Sequence, residues 1–410
     1  NAARDALTAL TPAGNAAALA IAAAVALLLA HAVSVVILAA LARAKGAADI
    51  GAAGLLSSRS FLVAFGILLF AGSAALLAMD GGGSRTAAAA PIAVAPAGHA
   101  VRVVAIDGFD RELSERLELP ALSRVMAGAR VPLLPDAGGA PDPARDWTTI
   151  ATGQPASRHG IASLEGRRAV GIEGQLPQAR GAVVETLLNA ADLLRLTTPA
   201  IASGDQRRHP AFWEVAAHAG LRTAVVNWWA TWPAPDGDDI VITDRALLRL
   251  DTGGELDAEI APAALYAGMR EMWPLLRQRA EAAAMAEFAS IADAELRAVL
   301  VRSAEIDWLV SAIALSLASS PQIGPLDLLV VYLPGLDIAQ HQLLQSPGLS
   351  SVSSMRERVA ALEQYYRFLD GRVARLLPPS ERHIDAAILW PGRVGGGAGA
   401  MALSGAAVRS

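Results

Sequence analysis

The sequence predicts an α/β protein, with a mostly parallel central sheet layered by helices and two transmembrane helices ahead of it. Three observations carry that expectation. Short β-branched runs alternate with segments of helical spacing, the pattern of strands joined by crossover helices. Acids and glycines stand just past the carboxyl ends of those runs, where parallel sheets build their sites. Two long runs without a formal charge lie close together near the start of the chain, at 16–42 and 61–79.

The 410 residues are 53% hydrophobic and 18% charged, more apolar than an ordinary soluble domain, and the two uncharged runs account for the excess. The run 61–79 is bracketed by Arg59 and Asp80. As a helix it spans about 28 Å, close to the hydrocarbon thickness of a bilayer. The connection between the runs carries Arg43, Lys45 and Arg59, which puts it in the cytoplasm and residues after Asp80 outside. Ala71 and Ala75 allow close helix packing in the second run. His31, in mid-run, reads as a neutral histidine bonded to another helix.

A net charge of −5 with no basic block gives nucleic-acid binding no electrostatic support. The absence of cysteine excludes disulfides, thiolate metal sites and a cysteine nucleophile. Lys45 is the only lysine among abundant arginine and alanine, a composition that points to a GC-rich bacterial genome. Residues 81–99, rich in Gly, Ala and Pro without hydrophobic periodicity, read as a linker. An extracytoplasmic domain is expected over 100–410.

Within that domain "VRVVAIDGFD" (101–110) is the first expected strand, stopping at Asp107-Gly108. The segment 111–129 has helical spacing through Leu113, Leu117, Leu122 and Val125. A helix over 210–220 precedes a strand over 221–229, and residues 252–320 read as a helical insertion. "LDLLVVYLPGLD" (326–337) is a strand ending in a turn with an acid, 351–377 a helix and 384–392 a further strand.

In order along the chain come "VVAIDGFD", "LPALSRVMAGA", "WTTIATGQPASRHGI", "PAFWEVAAHAGLRTAVVNWWATWPAP" and "VVYLPGLDIAQH". Together they resemble the type I phosphodiesterase/nucleotide pyrophosphatase branch of the alkaline phosphatase superfamily. The resemblance covers about 101–245 and 326–377, with a weaker tail to 410. It implies an α/β/α sandwich with two zinc-like ions at the carboxyl ends of the strands. One ion activates a Thr or Ser nucleophile and both stabilise the phosphoryl oxygens. By the same resemblance Asp107, Asp337 and His341 stand at metal-ligand positions.

Other positions depart from the family. Its nucleophile lies ten residues before the glycine of the "ATG" turn, which here is Pro143, a residue with no hydroxyl. Asp142 and Asp146 lie close by but not at that position. Thr148, Thr149 and Thr152 match positions that shape the turn, and they read as β-branched strand or capping residues. His159 matches a structural position. Where the family places a metal-binding Ser-Asp-His-Gly, this chain has Trp390-Pro391-Gly392-Arg393, and no histidine follows His383. Trp228, Trp229 and Trp232 are expected in core or pocket packing, the alternative being an interface patch.

The expected function is that of a membrane-anchored, extracytoplasmic phosphodiesterase-like domain without catalysis. It would be a structural or interaction part of a membrane assembly in a bacterial inner membrane, with the lipid bilayer and other membrane subunits as partners and no cofactor. The alternative is an active metal-dependent phosphodiesterase or phosphatase with a rearranged site holding zinc or another divalent metal.

Overall fold

The computed structural model describes residues 98–410 apart from 134–140, 171–175, 177–187, 190, 194, 236, 238, 345–351, 381–382, 392–398, 406–407 and 409–410. The runs 16–42 and 61–79, His31, Ala71, Ala75 and residues 81–97 of the linker lie outside them. Among the described residues no helix is long and apolar enough to cross a membrane. The chain divides into two compact units, and nearly all described residues belong to the unit made of 93–178 and 191–410.

That unit is built on an eight-stranded sheet. In spatial order it holds β2 (Ala129–Leu133), β10 (Gly399–Ser404), β9 (His383–Trp390), β1 (Ala100–Asp107), β8 (Leu328–Leu333), β5 (Thr223–Val226), β6 (Ile240–Ile242) and β7 (Ile260–Ala261). The five central strands, β9 to β6, run parallel. Antiparallel pairs close the edges, β10 with β9 and β2, and β7 with β6. A separate two-stranded sheet pairs β3 (Glu165–Ala169) with β4 (Thr197–Ile201).

The central strands are apolar on both faces because helices cover both. All six residues of β8 and all four of β5 are buried. Alternation along β1 sends Val104 and Ile106 to one face and Val103 and Ala105 to the other. The first face packs against α7 (Ala264–Glu287), α8 (Ala294–Ser319), α9 (Gly335–Leu344) and α10 (Val352–Leu376), through Trp273, Leu300, Leu336 and Tyr365 among others. The second packs against α3 (Pro143–Thr152) and α5 (Phe212–His218), through Trp147 and Trp213. The expected α/β layering with a mostly parallel sheet is present, and α7 and α8 occupy most of 252–320.

Three expectations need correction. Residues 111–129 form two helices, α1 (Arg111–Glu115) and α2 (Pro120–Met126), and then enter β2. Pro120 offers no N–H and disfavours a helical residue before it, so it starts a new helix and does not continue the old one. The strand read at 221–229 stops at Val226, because Asn227 turns to φ 64°. The β3–β4 sheet had no counterpart in the sequence reading.

Candidate functional site

Asp107 is the last residue of β1, and its parallel neighbour β8 ends at Leu333, two residues before α9 starts. Parallel pairing therefore delivers Asp107 and the first turn of α9, with Asp337, to the same edge of the sheet. Gly108 makes the approach possible. It has φ +80°, and a Cβ there would stand 2.6 Å from both Cα and N of Asp337. Only glycine permits that backbone contact.

The start of α9 is itself pinned from below. Gly335 donates its N–H to Asp307 Oδ1 across 2.9 Å, and Tyr365 donates its hydroxyl to Oδ2 across 2.9 Å. Asp307 lies in the middle of α8, fully buried, and burial pushes its carboxyl up to about 7 against the opposing hydrogen bonds. Nothing in the sequence marks it, because it sits in an ordinary amphipathic helix of the insertion.

Asp107 is buried and accepts hydrogen bonds from three protein donors. Trp147 Nε1–H reaches its Oδ2 across 2.8 Å and Tyr332 Oη–H reaches the same oxygen across 2.6 Å. Gly108 N–H donates to Oδ1 at 3.0 Å. The Asp107 carboxyl is pushed up to about 7, by burial first and by the negative charge of Asp337 second, while the three donors pull it down. Burial and the same carboxylate hold the Tyr332 phenol well above its usual range, so it remains a donor. Trp229 Nε1–H in turn donates to Tyr332 Oη at 2.7 Å. The indole of Trp147 meets Trp228 and Tyr332 edge-on, with centroids 5.3 and 4.9 Å away.

Pro143 is the first residue of α3, a position that suits its fixed φ and missing N–H. Asp142 caps the helix: its Oδ1 accepts from Arg145 N–H, and its Oδ2 from Ser163 Oγ–H and Leu164 N–H. Asp146 pairs with Arg145 at 2.8 Å, both side chains being buried. The threonines are helical, which corrects the strand or capping expectation. Thr148, Thr149 and Thr152 donate to the carbonyls of Ala144, Arg145 and Thr148, each four residues back. Their β-branched side chains had suggested a strand, but Asp142-Pro143 at one end and Gly153, φ 63°, at the other bound a helix.

His159 is wholly buried and structural. Its Nδ1 accepts the Ile161 N–H at 3.2 Å, so the ring proton sits on Nε2, which faces Thr149 Oγ1 at 3.0 Å.

Most of the positions assigned by resemblance to nucleophile and ligands lie together, and His341 does not join them. Asp107, Pro143, Asp337, Trp390 and Pro391 line one cleft, together with Pro141, Asp142 and Asp146. Its volume is about 10 Å³, at the threshold for a single ordered water. Trp390 pairs with Asp107 across β9 and β1, and its ring lies so close to Gly399 that a Cβ there would be 2.5 Å from Cε3. Gly392 and Arg393 fall outside the described residues. His341 is exposed in the last turn of α9 and does not line the cleft. His383 opens β9, at the end of the strand remote from Trp390.

This donor set does not fit the pair of divalent ions the family implies. Both Asp107 oxygens already accept hydrogen bonds from the protein, Asp146 is paired with Arg145, and Asp142 caps a helix. Among the described residues no three of His, Asp or Glu are grouped to hold a metal ion. Trp228 is fully buried in the aromatic block, so it belongs to the core and not to an interface patch. Arg245 stacks over Trp232 at 3.8 Å.

Sequence reasoning missed Trp147 and Tyr332. Each lay inside a motif already singled out, Trp147 beside the threonines and Tyr332 five residues before Asp337. The signal was a large side chain with one polar hydrogen in a segment leading to a buried carboxylate.

A layered α/β sheet with acids gathered past the carboxyl ends of its parallel strands is the layout in which such sheets place their sites. The chain belongs to the type I phosphodiesterase / nucleotide pyrophosphatase family, whose model matches residues 101–384. Among solved structures it is similar to murine ectonucleotide pyrophosphatase/phosphodiesterase 5, at 12% identity and a TM-score of 0.35 over 70% of this chain. An inactive variant of that murine protein in complex with AMP matches at 14% identity and a TM-score of 0.33 over 71% of this chain. The chain spans 56% of the length of each. Comparison with curated proteins finds no match.

Proposed function

We propose that this chain is a phosphodiesterase-like domain that has given up the family's catalysis and serves as a structural or interaction subunit of a membrane assembly. The observation that carries this reading is the occupation of Asp107. Its Oδ2 accepts from both Trp147 and Tyr332, which use that oxygen's two lone pairs, and Oδ1 accepts from Gly108, so a single lone pair remains for an ion. Opposite it stands Pro143, which has no group to attack phosphorus. By the resemblance Pro391 and Gly392 take the places of a carboxylate and an imidazole, and neither side chain can coordinate a divalent ion.

The uncharged runs 16–42 and 61–79 support anchoring in a bacterial inner membrane with residues 100–410 on the far side. Protease added to intact spheroplasts is then expected to digest the domain; complete protection would overturn that topology. Metal analysis of the purified protein tests the site. The proposal expects less than one zinc per chain, and two tightly held ions would contradict it. One observation favours the active alternative, namely that Asp107 and Asp337 still repel each other across the cleft. A cation could relieve that repulsion, but a proton on Asp107 relieves it as well.

A further inference from the structure

We propose that the end of the β3–β4 sheet is a docking surface for anionic lipid headgroups, an inference that rests on the membrane-anchored reading above. β3 and β4 pair in a register that places Arg168 opposite Thr198. One step further Val170 N–H donates to Leu196 O at 3.0 Å, so Val170 and Leu196 are neighbours. Residues two apart on a strand share a face, which sets Arg168 and Val170 side by side. Arg195 N–H donates to Asp192 O at 3.0 Å, and Leu193 stands exposed just before Leu196.

Val170, Leu193 and Leu196 are 58%, 84% and 60% exposed, a concentration of large aliphatic side chains at one tip. The two cations beside them, Arg168 and Arg195, are exposed as well. Among the described residues neither has a carboxylate within salt-bridge distance, whereas the neighbouring Arg167 is paired with Asp192 at 2.7 Å. The chain as a whole is acidic, at −5, so an uncompensated basic tip runs against its average. Aliphatic side chains that enter the headgroup boundary, with arginines at its edge, are the chemistry of an anionic bilayer surface.

The chain has no cysteine, so single-site labelling needs no background substitutions. Leu193→Cys and Leu196→Cys would each carry an environment-sensitive fluorophore, with Met285→Cys, exposed on α7, as reference. The full chain is reconstituted in phosphatidylcholine vesicles with and without phosphatidylglycerol, and quenching by nitroxide-bearing lipid is read. The inference expects blue-shifted, quenched emission at 193 and 196 in anionic vesicles and none at 285. It also expects loss of that signal in neutral vesicles and in the Arg168→Glu/Arg195→Glu variant. Probes at 193 and 196 that report water in anionic vesicles overturn it, as does a signal that follows protein density and not lipid charge, the mark of a second copy. Alkaline carbonate separates the two readings. A chain that withstands the wash while its probes report water sinks this inference alone, and a chain stripped from the vesicles sinks the anchor and this inference together.

Discussion

Trp147 donates its indole N–H to Asp107 Oδ2 across 2.8 Å, and Tyr332 donates to the same oxygen. Two donors from different elements, α3 and β8, thus hold a carboxylate that ends β1. Trp147→Phe keeps a large ring but leaves that oxygen short of one donor in a buried site. A loss of about 1–3 kcal/mol is expected for such an orphaned hydrogen bond. In thermal unfolding of the wild type and the variant, equal midpoints would show that the bond contributes nothing.

The two buried carboxyls give stability a definite pH dependence. Asp107 and Asp307 have folded pKa values of about 7, against an ordinary 3.8. Between those values the folded state binds more protons than the unfolded chain, so the contribution is full below about pH 4 and is lost as pH rises to 7. For each group the loss is on the order of 2–4 kcal/mol. Asp307→Asn keeps an acceptor for the Gly335 N–H, presents an N–H for Tyr365 Oη to accept in place of the second oxygen, and removes the titration. Denaturant unfolding at pH 4.5 and at pH 7.5 (about one unit inside and just outside the window) is expected to show the variant gaining on the wild type at the higher pH. A constant difference between the two proteins would contradict the assignment.

Gly108→Ala is expected to be among the most damaging small substitutions in the domain. The new methyl would meet the Asp337 backbone at 2.6 Å, at a φ of +80° that alanine disfavours. Gly153→Ala provides the comparison, because Gly153 also has positive φ, +63°, but nothing within 4 Å of a Cβ. The left-handed conformation alone costs about 1–2 kcal/mol. Gly108→Ala should exceed that or fail to fold, and equal midpoints for the two variants would show that the close approach does not exist.

Restoring a hydroxyl alone should not restore chemistry. Pro143→Thr places a hydroxyl at the first position of α3, facing Asp107 and Asp337, without supplying any ligand for a second ion. The variant is expected to fold, with stability changed by roughly 1 kcal/mol at a half-buried helix start, and to hydrolyse no phosphodiester. Turnover in this variant with zinc present would mean that the cleft still assembles a metal centre.

The sheet was legible because parallel strands buried on both faces must be apolar throughout, as β1 and β8 are, and because turns such as Asp107-Gly108 stop them. The convergence of Asp107, Pro143, Asp337 and Trp390 was legible through family order, which survives where individual side chains have changed. The bonding around Asp107 was not legible. Trp147 and Tyr332 read as ordinary apolar residues until their polar hydrogens are seen to point at one oxygen. Asp307 was hidden for a similar reason, since a lone acid on a helix reads as solvated, and only three-dimensional packing puts Gly335 and Tyr365 against it. The β3–β4 sheet escaped because its strands are short and half polar, with Pro199 within one of them.

The central claim is that the cleft keeps the family's shape without its chemistry, and one comparison tests it most directly. Hydrolysis of a chromogenic phosphodiester is measured for the purified full chain and for Asp337→Ala, each with zinc added. The account predicts the same background rate for both, because no nucleophile stands opposite Asp107 and no second ion is held. Turnover in the wild type that disappears in Asp337→Ala would contradict it and establish a working metal site.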